Sequence, residues 1–566
     1  MEAIAQFQLT GKGGAPSKVD GTSDTYPHDF GSQIMSRFAD AGVTDWMVGP
    51  PTRAQNLGNG YDVKTLYDFG DLSPTRYGRR QALLRQSAIC KANGMGFHTD
   101  AVLAHRDGGT NSRYEFRTPS GGILRMPLDK TCFVNEDPHK GVVIHKDHVA
   151  VPSEDFAYLF GEQISYFSGY YKDGHGAHAP GYPLREVKKA MLYGKQSTGF
   201  DGARIDNIKS MDPEVIHQIQ AVTGLWGVGE DWSSNLDQML WLIFGSPLGG
   251  RCSLYDYPLF FELRNMCNNT AKYDMRNLRW AGLYQRAPFN SVTFVNNHDL
   301  DAKNTRILNN MPLAYAMAAT VPGLFGIYVK DWLEKLGYGY DDKLITMLWF
   351  RHFAAQGEMV WRWLDHQFVV YERLGLGDAP GALVMLNNDS WNSAGYWVTV
   401  QTQWRNTWLH DYSGHMRDHV KTDNDGRVRI GVKCNDNGTG YSFYAPDGLQ
   451  GKQIKVISRP AVQHFEGAHD LNAHDLNYVP AKSSGTPVMT IWCAPHKPIH
   501  LAKMHGDVEY EVKDAAGHVV VPRGHWGGTT QARGWHHITA FAKGSSEEPY
   551  KLKVEYWATR SIERGE

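Results

Sequence analysis

The sequence predicts an α/β protein: a (β/α)8 barrel of the TIM type, interrupted by an inserted loop domain and followed by two regions built of β-strands. Three observations predict it. Over the first 330 or so residues, short apolar segments ending in polar side chains alternate with stretches of helical period, the pattern of a parallel sheet. One connection in this series is far longer than the rest. Beyond about residue 358 the helical period gives way to short alternating segments.

Eight segments read as the barrel strands: residues 4–9, 43–49, 95–100, 202–206, 225–230, 253–259, 291–298 and 323–329. That number suits a closed barrel with insertions better than a doubly wound sheet. Between them, residues 79–93 carry helical period up to Gly94, and Asp212 followed by Pro213 reads as an N-cap with a first-turn proline. About 100 residues separate the third and fourth strands, so an inserted domain is expected over 106–183 within a catalytic barrel of 1–358. The last barrel helix is expected near 343–356. An antiparallel β domain should occupy 359–447, with strands at 366–371, 382–386, 396–400, 428–432 and 441–444. A further β region, 448–566, should hold strands at 454–457, 488–493, 536–541 and 550–557. Its Trp492, Trp526, Trp535 and Trp557 either fill a core or stack on carbohydrate.

The composition narrows the partners. Of 566 residues, 42% are apolar, enough for large cores, and 58 Lys plus Arg against 60 Asp plus Glu leave a formal charge of −2. No strong field therefore draws the chain to nucleic acid or to an anionic membrane surface, and a neutral partner is expected. No run of about eighteen apolar residues predicts a membrane span. Six cysteines, Cys90, Cys132, Cys252, Cys267, Cys434 and Cys493, stand singly, without metal or redox spacing. Met1-Glu2-Ala3 leads almost directly into the first strand, so a cytoplasmic protein or one whose signal was removed is expected. Oligomeric state is not legible.

Active sites of such barrels lie at the C-terminal ends of the strands, and here those ends are rich in carboxylate, histidine and arginine. The third strand leads into Asp100 and His105, the fourth ends Arg204-Ile205-Asp206, the fifth Gly229-Glu230-Asp231-Trp232, and the seventh Asn297-His298-Asp299. An aspartate at one strand end is often a helix cap. Four such clusters in order are not explained by capping. In this pattern the chain resembles the α-amylase family, glycoside hydrolase family 13. The resemblance rests on D-x-x-x-x-H at Asp100 and His105, G-x-R-x-D at Arg204 and Asp206, Glu230, and the Asn297-His298-Asp299 triplet. Gly60-Tyr61-Asp62 and Ser253 to Leu259 support it, and it continues weakly to about Asp447.

The resemblance implies a retaining, endo-acting hydrolase of α-1,4-glucosidic bonds in starch or another α-glucan. Catalytic residues would be Asp206 as nucleophile, Glu230 as acid and base, and Asp299 as a stabiliser of the distorted sugar. Substrate would be bound by Tyr61, Asp100, His105, Arg204, Lys209, Trp232 and His298, with Trp232 either lining the cleft or plugging the barrel rim. Retention needs a nucleophile and an acid about 5 Å apart. Arg204, two residues before Asp206 on one strand face, would hold it ionised, while Glu230 would titrate near the working pH. An α-glucan transglycosylase, a short-oligosaccharide α-glucosidase, and a non-catalytic glycan-binding protein are the alternatives.

Two departures from the family pattern carry consequences. The family's first region supplies an Asn that ligates calcium, and here Ala104 offers only a methyl group to a cation that wants six to eight oxygens. No cofactor is therefore expected to be required, with calcium left as an alternative through Asp107 or Glu136. Lys209 is followed by Ser210 where the family carries His, so one leaving-group subsite should be weaker.

Overall fold

The structure is a computed structural model that describes residues 3–7, 26–54, 60–71, 74–106, 114–117, 123–126, 128, 132, 162–164, 166–167, 181–270, 272–334, 343–417, 419–454, 460–465, 477–479, 484–532, 534–545 and 548–557. Eight parallel strands close into a barrel: β1 (Ala3–Phe7), β2 (Asp45–Val48), β3 (Gly96–Ala101), β4 (Gly202–Ile205), β5 (Trp226–Gly229), β6 (Cys252–Tyr255), β7 (Ser291–Thr293) and β8 (Leu324–Tyr328). Each pairs with its sequence neighbour, and β1 pairs with β8 to complete the ring. Small residues set the fit of the strands. A side chain at Gly202 would strike the His98 ring at 2.3 Å, and one at Gly229 would strike Ile208 and Leu254 below 3 Å.

The principal helices are α1 (Pro27–Asp40), α2 (Arg80–Ala92), α3 (Tyr182–Thr198), α4 (Pro213–Thr223), α5 (Tyr257–Asn268), α6 (His298–Ala302), α7 (Met311–Thr320) and α8 (Lys343–Phe353). As the sequence suggests, Gly94 takes a positive φ just beyond α2, and the Asp212 carboxylate accepts the Glu214 N–H at 2.8 Å with Pro213 opening α4. Two strands end earlier than the sequence predicts. Asp256 caps α5 by accepting the Leu259 N–H, which stops β6 at Tyr255, and Asn297 caps α6, leaving β7 only Ser291–Thr293.

Most of 106–183 lies outside the described residues. Within it, Tyr114–Arg117 pairs with Ile123–Met126, and Glu162–Gln163 pairs with His105–Arg106 directly after β3. Beyond the barrel the sheets are antiparallel. Six strands run in the order Met359–Leu364, Phe368–Arg373, Ala382–Asn387, Tyr441–Pro446, Trp408–Asp411, Val420–Lys421, and Tyr396–Gln401 pairs with Arg427–Val432 over an apolar core of Val370, Leu383, Val398 and Ile430. The remaining strands form two further sheets, one around Glu548–Trp557 and one around Gly534–Ala542, and α2 packs against their Pro460–Phe465 and Thr486–Cys493 strands. Ile454 is not in a strand, and 455–459 lie outside the described residues, as do the side chains of Trp492 and Trp535. Trp526 is half-exposed, and the Lys497 ammonium sits 4.7 Å from the Trp557 ring centre. Among the described residues no helix is long and apolar enough to cross a membrane. All six cysteines are free thiols.

Candidate active site

Parallel pairing of β3, β4 and β5 aligns three chemically loaded strand ends. Asp100 and Arg204 are register partners, so their side chains leave the same face of adjacent strands. One step further, the Asp206 N–H donates to the Ala101 carbonyl and the Glu230 N–H to the Ile205 carbonyl, which fixes both carboxylates at the barrel mouth. Asn207 follows in the left-handed region (φ 47°), and its N–H points at Glu230 Oε2, 3.3 Å away. Asparagine tolerates that backbone, which a branched residue would not. Across the barrel, the Asn297 side chain accepts the Leu300 N–H at 2.9 Å and places His298 and Asp299 in the first turn of α6.

One guanidinium organises these groups. Arg204 Nη1 donates to both oxygens of Asp100 at 2.8 Å and to Asp206 Oδ1 at 3.0 Å. Its Nη2 lies 2.7 Å from Glu230 Oε1 and 3.6 Å from Asp299 Oδ2, ionic contacts without the alignment of hydrogen bonds. Arg204 is buried, and its charge is held by four carboxylates at once.

Of the binding residues the sequence selects, most converge here. The Tyr61 hydroxyl donates to Asp100 Oδ2 at 2.5 Å and lies 2.6 Å from His298 Nε2, and the Tyr61 and His298 rings stack with centres 5.4 Å apart. His298 also lies 3.3 Å from Asp299 Oδ2. His105 is buried behind this pair, with Nε2 3.0 Å from the Tyr61 carbonyl, so it holds the Tyr61 backbone. Trp232 does more than line the rim: its indole N–H donates to Glu230 Oε1 at 2.8 Å, and the Lys303 ammonium sits 4.1 Å above its ring. Lys209 stands apart from the guanidinium cluster, exposed in a single turn beside Asp231.

Three contributors were given no role from sequence. The Tyr257 hydroxyl donates to Glu230 Oε1 at 3.4 Å and accepts from Asn297 at 3.1 Å, while its ring packs on Trp232. Lys303 is the third, after Tyr257 and Asn297. The tyrosine and the asparagine were visible within the motifs, but their contacts link different strand ends and have no local signature.

Electrostatics divides the carboxylates. Burial pushes the carboxyls of Asp100 and Asp206 upward, against the pull of Arg204. Asp299 is pushed up to about 7 by burial and by the neighbouring Glu230, to which it hydrogen-bonds. Burial raises Glu230 as well, but Arg204, the Trp232 N–H and Asp299 outweigh it and bring it to about 2. His298 falls to about 3 through burial and Arg204, and His105 to about 4 through burial, so both imidazoles are neutral. Arg204 does not act on Asp206 alone. Its Nη1 is shared with Asp100, and its Nη2 faces Glu230. The Asp299–Glu230 pair therefore holds one proton between two carboxylates near neutrality.

Among the described residues no oxygen-rich cluster is seen at Ala104. Its methyl group offers no oxygen, its carbonyl accepts the Ile164 N–H at 3.0 Å, and Asp107 and Glu136 lie outside the described residues.

Comparison with known proteins follows the same line. The family model described as "Alpha-amylase C-terminal" matches residues 383–445. The chain is 24% identical over 465 residues to the cytoplasmic α-amylase of Escherichia coli (strain K12), covering 69% of this chain and 90% of that protein. It is 24% identical over 480 residues to the α-amylase of Geobacillus stearothermophilus, covering 75% and 85%. In fold it is similar to the α-amylase of Geobacillus thermoleovorans solved with acarbose (TM-score 0.55, 15% identity, 78% of this chain and 97% of that one). It is also similar to the γ-CGTase of an alkalophilic Bacillus clarkii (TM-score 0.57, 14% identity, 96% and 79%).

Proposed function

We propose, from the premise that the chain is an α-amylase-like protein of glycoside hydrolase family 13, that it is a retaining, endo-acting hydrolase of α-1,4-glucosidic bonds in starch or a related α-glucan. The observation that carries this reading is the single buried guanidinium with Asp206, Glu230 and Asp299 all within 3.6 Å of its nitrogens. Two carboxyl groups facing one reacting centre are what double displacement at an anomeric carbon requires.

In the proposed sequence, Asp206 attacks the anomeric carbon as the glycosidic bond breaks, and Glu230 gives its proton to the leaving oxygen. A covalent glycosyl ester on Asp206 results. Glu230, now ionised, takes a proton from water, whose oxygen attacks the same carbon and releases Asp206 with retention. The Asp299–Glu230 pair supplies the first proton. Moving it across their hydrogen bond to Glu230 leaves Asp299 as a carboxylate that accepts from sugar hydroxyls and favours the positively charged transition state. Asp206 must be ionised to attack, and the Arg204 guanidinium, which donates to its Oδ1 at 3.0 Å, supports that state. Tyr61, whose hydroxyl is tied to Asp100, offers a ring face to the sugar before the scissile bond.

A near-neutral net charge agrees with an uncharged polymer as substrate. The test is chromatography of maltoheptaose digests by wild type, Asp206→Asn and Glu230→Gln, with and without a calcium chelator. Short products from wild type alone are expected, with chelator making no difference. Products longer than the substrate would make the enzyme a transglycosylase, and binding without any new reducing end would make it a glycan-binding protein.

A further inference from the structure

On the antiparallel sheet that follows the barrel, three side chains from three neighbouring strands meet at one end. Trp408 and Leu409 pair with Lys421 and Val420, and continuing that register sets His410 opposite His419. On the other side Leu409 pairs with Pro446, and the next residue, Asp447, donates its N–H to the Trp408 carbonyl at 3.1 Å. Paired residues in a sheet point to the same face, so this register alone collects His410, His419 and Asp447 on one side. The face is open to solvent: His419 and Asp447 are exposed and His410 is partly so.

We infer that His410, His419 and Asp447 form a binding site for a transition-metal dication of the Zn²⁺ type, distinct from the barrel mouth. His410 Nδ1 and His419 Nε2 lie 2.9 Å apart, and a ligand atom from each of the three residues falls within 4.8 Å of the others. Metal–nitrogen bonds of about 2.0–2.1 Å in a tetrahedron set ligand atoms roughly 3.3 Å apart. The imidazoles thus need to part by a few tenths of an ångström, and the exposed Asp447 carboxylate to swing inward by a rotation about its own side-chain bonds. Two imidazoles and one carboxylate suit zinc and its neighbours, whereas calcium or magnesium would demand an all-oxygen set. Three protein ligands leave the fourth position to water.

The Tyr412 and His410 rings pack nearly perpendicular with centres 4.9 Å apart, limiting the imidazole's rotation, and the Lys421 ammonium is directed 5.5 Å over the Trp408 ring. The metal would tie together the 408–421 hairpin and the point where the chain leaves this sheet at Asp447. That is a staple at a strand exit, and it predicts metal-dependent stability with no effect on chemistry at the barrel.

The experiment uses the full chain, stripped by chelator and dialysed, then titrated with Zn²⁺ by calorimetry and with Co²⁺ by visible absorption. Wild type, His410→Ala/His419→Ala and Asp447→Asn are compared, with maltoheptaose hydrolysis and circular dichroism as folding controls. The double variant should lose about one equivalent of Zn²⁺ and the zinc-induced rise in melting temperature. Asp447→Asn should keep the site but bind about tenfold more weakly or worse. If the double variant fails to fold, His419→Gln, at an exposed position, must show the same loss. Equal stoichiometry and affinity in wild type and the histidine variants, or no binding by wild type, would overturn the inference; an unaltered Asp447→Asn would remove the carboxylate from the ligand set.

Discussion

Arg204 and the pair Arg351 and Arg373 are equally buried, at 1% exposure each, yet they are neutralised in opposite ways. Arg204 faces four carboxylates. Arg351 instead donates to the carbonyls of Ala319, Val321 and Gly323, and Arg373 to those of Thr320 and Gly357, which gather at the C-terminal end of α7. Of these, the Ala319 and Thr320 carbonyls carry the negative end of the α7 dipole, so a cation is welcome there. Burial nevertheless lowers Arg351 to about 9 and Arg373 to about 10, whereas the carboxylates drive Arg204 well above its ordinary value. Carbonyl oxygens accept hydrogen bonds but cannot exchange protons at any working pH. The α7 arrangement is consequently a rivet between the barrel and the sheet beyond it, while the Arg204 arrangement stores protons on carboxylates that can release them.

The sharpest way to break this contrast is to remove one member from each. Asp206→Asn should lower kcat by about 10⁴-fold or more, with the melting temperature little changed, because an isosteric amide replaces a carboxyl that burial already pushes toward its neutral form. Arg351→Met should do the reverse: kcat per folded molecule unchanged, and stability to denaturant reduced by about 2–4 kcal/mol as several carbonyls lose their donor. Loss of activity in the folded Arg351 variant would contradict the division.

Finer tests follow from the shared proton. In kcat/KM against pH, the basic limb should fall near 7, because raising the pH through the Asp299 value strips the pair of its one proton and leaves no acid for the leaving group. Asp299→Asn removes the neighbour that holds the proton, so Glu230 alone, pulled down by Arg204, should move that limb to lower pH. The smallest effect is expected for Trp232→Phe. Losing the indole N–H that favours the Glu230 carboxylate should shift the limb upward by roughly 0.7 of a unit, in keeping with one hydrogen bond of about 1 kcal/mol.

Much of this was legible in the sequence because strand ends in a parallel barrel face one mouth, so motif order translates directly into proximity. Asp100, Arg204, Asp206, Glu230 and Asp299 meet as their spacing suggests. The lengths of β6 and β7 were overestimated, since Asp256 and Asn297 leave the strands to cap helices, and apolar runs such as Val292 to Val295 hide that exit. What sequence could not reveal is which oxygen each guanidinium nitrogen meets. That choice sets how the guanidinium's charge is divided between Asp206 and Glu230. His410, His419 and Asp447 were silent for a related reason: register brings them together from three strands, and no metal spacing appears along the chain.

The central claim is double displacement through Asp206, and the anomeric form of the first product tests it most directly. Proton NMR of maltoheptaose hydrolysis, recorded before mutarotation, should show new reducing ends appearing first in the α configuration. Initial β product would mean single displacement by water, and Asp206 would then not be the nucleophile.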